Sequence, residues 1–486
     1  MHIRYIFFVF ILLVAKLSAQ KHDYIWMFGY DNSNFNPASR WGGANINFNI
    51  SPPSIYPNRK NNDFRFYCGV CSDSTGTLAF YTNGISIRDT THNIMLNGDT
   101  INPGPIWINY QYYGFPNGPF CFALPAPGPS NHYYFFHMSG VVLPTIGPVT
   151  SPFYYTVIDM NANNGLGAVT AKNQVILPEG GDYTAPVAVK HGNGRDWWVI
   201  TGEVSTPYIY TFLLDPDGVH GPFETEMAFD FPGEEFQSVN AMSPDGRTYV
   251  RCDGNNGLHI YDFDRCSGTF GDLRVLPFAD PGFFARSTVF APDSRHLYLS
   301  SSPYLTVLDL HASDIAATHD TLAYFDGQAS PHQPFVTGFF HASRGPDDKI
   351  YYATTNSTMA MHVIHSPNLP GHSADVQQHG LDLPKLNSGT MCQFPNYRLG
   401  RSVGSPCDTL GYQGPGGGFE HRAYVPSAVS QRSASGYTLL PPIGKPSGKP
   451  RARQPSMMEM ALEQLEKQRK EEEEMQQPGH LNQSKN

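Results

Sequence analysis

One strand–turn–strand unit, repeated along the chain, limits the fold more than any other feature. Its clearest copy is 241–268, reading AMSPDGRTYVRCDGNNGLHIYDFDRCSG. In Ser243-Pro-Asp-Gly246 the proline presets φ, the aspartate can bond its own backbone and the glycine supplies φ > 0, so this is turn chemistry. Two runs of strand formers, 247–252 and 258–263, flank a second turn cluster at 253–257, which predicts a β-hairpin. Five similar units surround it. Their strand pairs are 78–82 with 85–88, 132–137 with 153–159, 197–201 with 208–213, 296–300 with 305–309, and 349–353 with 361–364.

The turns lie near 74, 129, 193, 245, 293 and 347, so the spacing is about 50–60 residues. A repeat of this length built from strands alone is the signature of propeller blades. Leu258, Ile260, Tyr261 and Phe263 put apolar groups on both faces of one strand. Stacked blades need that, whereas a sheet with one wet face alternates. The prediction is an all-β propeller, with seven blades of four-stranded antiparallel sheets. The seventh blade is expected from both chain ends, the strand 23–29 and the segment Thr390–Leu399. Residues 30–63 read as a long loop.

The remaining segments give the domain plan. Tyr5–Ala15 is almost wholly apolar, follows Arg4 and precedes Leu17-Ser-Ala19, so residues 1–20 read as a secretory signal peptide. The propeller occupies 21–411. Residues 412–456 are Gly-, Pro- and Ser-rich and read as a linker. Residues 457–486 read as a charged helical or disordered tail, with i,i+4 charge pairs among Glu466–Glu474. No later stretch is long and apolar enough for a transmembrane helix. Losing Arg4 and Lys16 takes the net charge from −10 to −12. That balance disfavours nucleic acid and anionic membrane surfaces as partners.

Seven cysteines, an odd number, leave at least one thiol unpaired within the chain. Cys252 and Cys266 flank one hairpin, and Cys392 and Cys407 are near in sequence, so these four are the disulfide candidates. Cys68-Gly-Val-Cys71 has redox or zinc spacing. No second such pair completes a zinc site, and the pair sits at a strand end rather than a helix N-terminus. A structural bridge or free thiols is the favoured reading.

Several segments resemble exported proteins of the Bacteroidetes whose propellers are similar to the WD40-like and TolB-type families. These are 72–84 (SDSTGTLAFYTNG), 97–103, 189–198 (VKHGNGRDWW), 260–266 (IYDFDRC), 376–381 and 394–400 (FPNYRLG). The resemblance covers 72–411 and implies a propeller exported by a Gram-negative bacterium to the periplasm, cell surface or medium. It brings no established activity. The small sorting sandwich that ends many such proteins has no counterpart in 412–486.

No constellation commits the chain to catalysis, a metal or a cofactor, and none of these is expected. Six histidines crowd 332–379 (His332, His341, His362, His365, His372 and His379), but His362 and His365 point to opposite sides of a strand. Glu234-Glu235 reads as a solvated turn. The densest polar–aromatic cluster is 189–198. Lys190, His191, Arg195, Asp196 and Trp197 there are the candidate binding residues. The competing view makes Gly192-Asn-Gly194 a hairpin turn, Arg195–Asp196 a pair and the tryptophans packing between blades. The expected function is binding or scaffolding of a protein or glycan partner in the cell envelope. The axial channel and one loop rim would be the contact surfaces, with the aromatic, Asn-rich loops 30–63 and 97–120 foremost. The alternative is a polysaccharide-active hydrolase or lyase with its carboxylates or histidines at the axis.

Overall fold

The structure is a computed structural model. It describes residues 20–408, apart from 32–37, 61, 66, 117–120, 144–146, 230, 232–238, 279–286 and 331–334, together with 431–432 and 436–443. Residues 1–19, within the segment read as a signal peptide, together with Glu234-Glu235, His332 and the tail from 444 onward, lie outside the described residues.

Seven sheets follow one another along the chain, and a two-stranded hairpin, Val141–Leu143 with Gly147–Val149, adds to them. Blade 1 is Ile25–Tyr30, Gly42–Asn47 and Ser54–Asn58; blade 2 is Gly69–Ser72, Leu78–Thr82 and Ile87–Arg88. Blade 3 starts with Cys121–Pro125, blade 4 with Val187–Lys190, blade 5 with Val239–Met242, blade 6 with Ser287–Phe290 and blade 7 with Phe339–Arg344. Each of these five is a four-stranded antiparallel meander. The first strands of successive blades 4 to 7 pack against one another, as do those of blades 2 and 3, so they line the axis. All six predicted hairpins are present. This is a seven-bladed β-propeller.

The cores lie between blades, as two-faced strands require. Phe136 of blade 3 shares a buried cluster with Trp197 and Phe212 of blade 4, Trp198 of blade 4 one with Tyr249 and Tyr261 of blade 5, and Tyr298 of blade 6 one with Tyr352 of blade 7. Trp26, Trp197 and Trp198 are completely buried. The Ser243–Gly246 turn joins the inner strand of blade 5 to its neighbour. Ser243 Oγ accepts from the Thr248 N–H at 2.9 Å, and Gly246 takes φ +74.

Two expectations at the chain ends need correction. Residues 30–63 hold two strands, and Gly42–Asn47 pairs with Ile25–Tyr30 throughout. Its Gly-Gly-Ala-Asn start has low strand propensity. It is used because the backbones approach closely: a Cβ on Gly29, at φ +92, would fall 2.1 Å from the Gly42 carbonyl oxygen. Thr390–Leu399 forms no strand. It does lie beside the N-terminal strand, with Met391 and Cys392 in the cluster of Trp26, Met27 and Phe28. Pro395, which has no N–H to donate, interrupts any ladder there. The ring closes by packing, with Val376–Ser388 of blade 7 against blade 1 and the Leu386 N–H donating to the Arg40 carbonyl at 2.9 Å.

Residues 431–432 and 438–439 add short parallel strands to the outer edges of blades 4 and 5. Ile443 is buried among Leu276, Phe290 and Leu297. These pieces of the stretch read as linker cover edges that would otherwise be open.

Candidate functional site

The axis was one expected contact surface, and residues 390–400 occupy it. Thr390 Oγ donates to the Phe64 carbonyl at 3.1 Å, at the end where the inner strands begin. Gln393 donates to the Ala342 carbonyl at 3.1 Å, Asn396 to Pro244 at 2.8 Å and the Tyr397 hydroxyl to Ala123 at 2.7 Å. The segment therefore bonds to blades 7, 5 and 3 in turn. Arg398 then grips Asp23, just before blade 1, through its two terminal guanidinium nitrogens, at 2.7 and 2.8 Å. Burial works against the Arg398 charge, but the Asp23 carboxylate outweighs it and raises the guanidinium above its ordinary value.

What is left of the channel is a cavity of about 120 Å3, lined by Val187–Val189, Asn240–Met242, Thr288–Phe290, Ala342–Arg344 and the axial segment. Ligand pockets usually measure about 300–1,000 Å3. Asp23 is the one carboxylate in that lining, and Arg398 holds it. Arg344 is pushed down from the usual arginine value, first by burial and then by Arg398. No converging set of acids or histidines lines this cavity among the described residues.

The structure brings the five sequence-derived binding candidates together and turns them inward. Lys190, His191, Arg195, Asp196 and Trp197 are all buried, so they form no exposed binding face. Arg195 pairs with Asp196 at 2.5 and 2.9 Å, and Asn193 donates to the same carboxylate at 2.6 Å. The Lys190 ammonium stands 4.0 Å from the Trp197 ring centre and donates to the Arg195 carbonyl. Burial pushes Lys190 down to about 7, against the pull of Asp196. His191 Nε2 bonds the Cys266 carbonyl at 2.9 Å. The cluster anchors the end of the axial segment: Arg265 donates to the carbonyls of Lys190, His191 and Gly400, and the Ser402 N–H donates to Gly192.

The disulfide beside it also departs from expectation. Cys266 bonds Cys407, across 141 residues, while Cys252 and Cys392 are buried and bonded to neither. Pairing by nearness in sequence failed because the axial segment returns the chain end to blade 5. A Cβ on Gly192 would lie 2.3 Å from the Cys407 sulfur, so the glycine makes room for the bridge. Cys68 and Cys71 belong to different inter-blade clusters and do not act as a pair. Among the described residues no three His, Cys, Asp or Glu side chains gather as a metal site. No described helix is long and apolar enough to cross a membrane.

The second expected surface, the loop rim, is built at the other end of the axis on blades 1 and 2. Arg65 lies 5.4 Å from the Tyr30 ring and 4.8 Å from the Tyr113 ring. Trp41 meets Tyr30 edge-on at 5.4 Å and carries Arg40 over its face at 5.3 Å. The short helix Pro105–Tyr110 is pinned by buried Ile106 and by Trp107, whose indole donates to the Ile85 carbonyl at 3.0 Å. Ile108 on this helix and Tyr112 and Tyr113 just after it are 62, 77 and 49 % exposed. Arg65 Nε is buried with no hydrogen-bond partner among the described residues. The loops 30–63 and 97–120 were legible as candidates. The convergence of Arg65, Tyr30 and Tyr113 was not, since only the fold joins them.

No protein-family profile matches the chain, and no curated protein does. Solved structures are similar in overall course. A "putative 6-phosphogluconolactonase" from Bacteroides uniformis is 12 % identical, with TM-score 0.44, over 76 % of this chain and 98 % of that one. A protein of the same description from Bacteroides fragilis is 11 % identical, with TM-score 0.45, over 76 % and 97 %. The periplasmic gluconolactonase of Pseudomonas aeruginosa is 13 % identical, with TM-score 0.44, over 75 % and 97 %. Likeness of this degree says nothing about activity.

Proposed function

We propose that the chain is a binding or scaffolding propeller that takes a protein or glycan partner on the rim of blades 1 and 2, in the envelope of an exporting bacterium. The observation that carries this is the Arg65 side chain beside the Tyr30 and Tyr113 rings, bordered by exposed Tyr112 and Ile108. Tyrosine and arginine supply much contact energy at binding surfaces. The filled axis supports the same reading, because the one carboxylate lining the described cavity, Asp23, is already held by Arg398. Export and kinship with the Bacteroidetes propellers belong to this proposal and rest on the segments that resemble them.

The test is a glycan array and an envelope-extract pull-down with the chain lacking residues 1–20, run beside Tyr112→Ala/Tyr113→Ala. Specific capture that the double variant loses supports the proposal. Polysaccharide turnover without specific capture would sink it in favour of the hydrolase or lyase alternative.

A further inference from the structure

Two thiols that no nearness in sequence connects lie side by side under blade 1. Cys68 Sγ and Cys392 Sγ are 3.0 Å apart, across 324 residues, and both side chains are buried. Cys68 precedes the inner strand of blade 2, and Cys392 lies in the axial segment. The Met27 carbonyl is 3.3 Å from one sulfur and 3.8 Å from the other. Met27, Phe28, Phe64 and Met391 pack around them in the same cluster. Lys60, also buried, donates to the Phe28 carbonyl, stands 4.7 Å from the Phe64 ring and acts electrostatically on both sulfurs.

We propose that Cys68 and Cys392 are the chain's second disulfide, formed by thiol–disulfide exchange when the chain folds in an oxidising medium. A bonded pair needs a separation of about 2.0 Å, so the sulfurs must close by about 1 Å. Neither thiol has another cysteine as near among the hydrogen-bonded contacts described. The first thiolate attacks an oxidant disulfide such as glutathione disulfide and releases one glutathione thiolate. The second thiolate attacks the mixed disulfide and releases the other. One S–S bond forms and one breaks; the two thiol protons pass to the two glutathiones, and the two electrons reduce the oxidant.

The placement gives the bond a purpose. Cys407 already fastens one end of the axial segment to blade 5. A bond at Cys392 fastens the other end to blade 2, so the segment that fills the axis is held at both ends. Burial raises the Cys68 thiol well above its usual value, with the neighbouring Cys392 adding to the rise, while the charge of Lys60 opposes both. The exchange therefore belongs to folding, before the site closes, and the finished bond is shielded from thiols in solution.

The experiment reads the bonds directly. The chain lacking residues 1–20 is unfolded in reductant, refolded in a glutathione and glutathione disulfide buffer, quenched with acid and denatured. Free thiols are then capped with N-ethylmaleimide. Three caps are expected, on Cys71, Cys121 and Cys252, together with a linked Cys68–Cys392 peptide in the digest. Five caps that include Cys68 and Cys392 would overturn the proposal, as would a bridge from Cys68 to Cys71. Cys68→Ala/Cys392→Ala gives the control: its thermal midpoint should fall below that of the oxidised chain, and reductant should lower it less than it lowers the parent's. Equal midpoints in the oxidised chain and the double variant would show that no bond holds the segment there.

Discussion

Arg398 and Asp23 are 375 residues apart in sequence and meet through two hydrogen bonds of 2.7 and 2.8 Å. The carboxylate side chain is 4 % exposed and the guanidinium 32 %. That contact is where the end of the propeller returns to its beginning. Asp23 sits just before the first strand and Arg398 near the end of the axial segment.

Removing the arginine leaves a buried carboxylate without its partner, which is the costly way to break such a pair. Arg398→Ala is expected to lower the unfolding free energy by about 3 kcal/mol, the low end for a buried pair, because the arginine is partly open to water. Urea unfolding followed by fluorescence of the buried Trp26, Trp197 and Trp198 measures it. A loss below about 0.5 kcal/mol would show that the pair does not clamp the ring.

The Cys266–Cys407 bridge makes a separate contribution. Cys407→Ser is expected to cost about 2–5 kcal/mol relative to the oxidised parent, the range for removing a native bridge. Gly192→Ala should cost stability in the oxidised chain, since its Cβ would collide with the Cys407 and Cys266 sulfurs at 2.3 and 2.9 Å. In a Cys266→Ser/Cys407→Ser background the same substitution should cost much less. Thermal midpoints of the four chains form a cycle that separates the two effects.

How much of this was legible depends on what each feature needs from distant residues. The hairpins were readable because their turns are local: Ser243, Asp245 and Gly246 make the bonds of the turn among themselves and with Arg247 and Thr248. The strand Gly42–Asn47 was hidden because Gly, Ala and Asn carry little strand preference, and only the approach of Gly29 makes them necessary. The pairing of Cys266 with Cys407 and the meeting of Asp23 with Arg398 depend on the path of the axial segment, which no local pattern records. The 189–198 cluster was rightly seen as dense. The reading that competed with a binding face, an Arg195–Asp196 pair with the tryptophans packed between blades, is the one the structure shows: the polar residues satisfy one another.

Acid should weaken blade 3 through His137. This imidazole is completely buried, with Nδ1 2.7 Å from Asn102 Oδ1 and Nε2 2.9 Å from Thr156 Oγ1. Burial pushes it down to about 3. The unfolded chain has an ordinary histidine near 6.5, so between about 6.5 and 3 it binds a proton that the folded chain excludes. Stability is therefore expected to fall as pH drops through that window, by up to about 1.4 kcal/mol per pH unit from this residue. Urea midpoints at pH 7, 6, 5 and 4 test it against His137→Gln, which should be less stable at pH 7 yet show a shallower decline. An unchanged slope in the variant would assign the acid sensitivity elsewhere.

The rim proposal makes a prediction that stability alone cannot imitate. Tyr112 and Tyr113 project from the blade 2 edge, so truncating them removes contact surface and little packing. Tyr112→Ala/Tyr113→Ala should leave the unfolding free energy within about 0.5 kcal/mol of the parent, as surface substitutions usually do. Binding should weaken by at least about 30-fold if either ring is a hot spot worth 2 kcal/mol or more. Arg65→Lys separates charge from shape: it keeps the positive charge but loses the planar group that lies against Tyr30 and Tyr113. Titration calorimetry with the captured partner should show weaker binding for Arg65→Lys as well. Parent-like affinity in both variants, with stability unchanged, would move the contact surface off this rim.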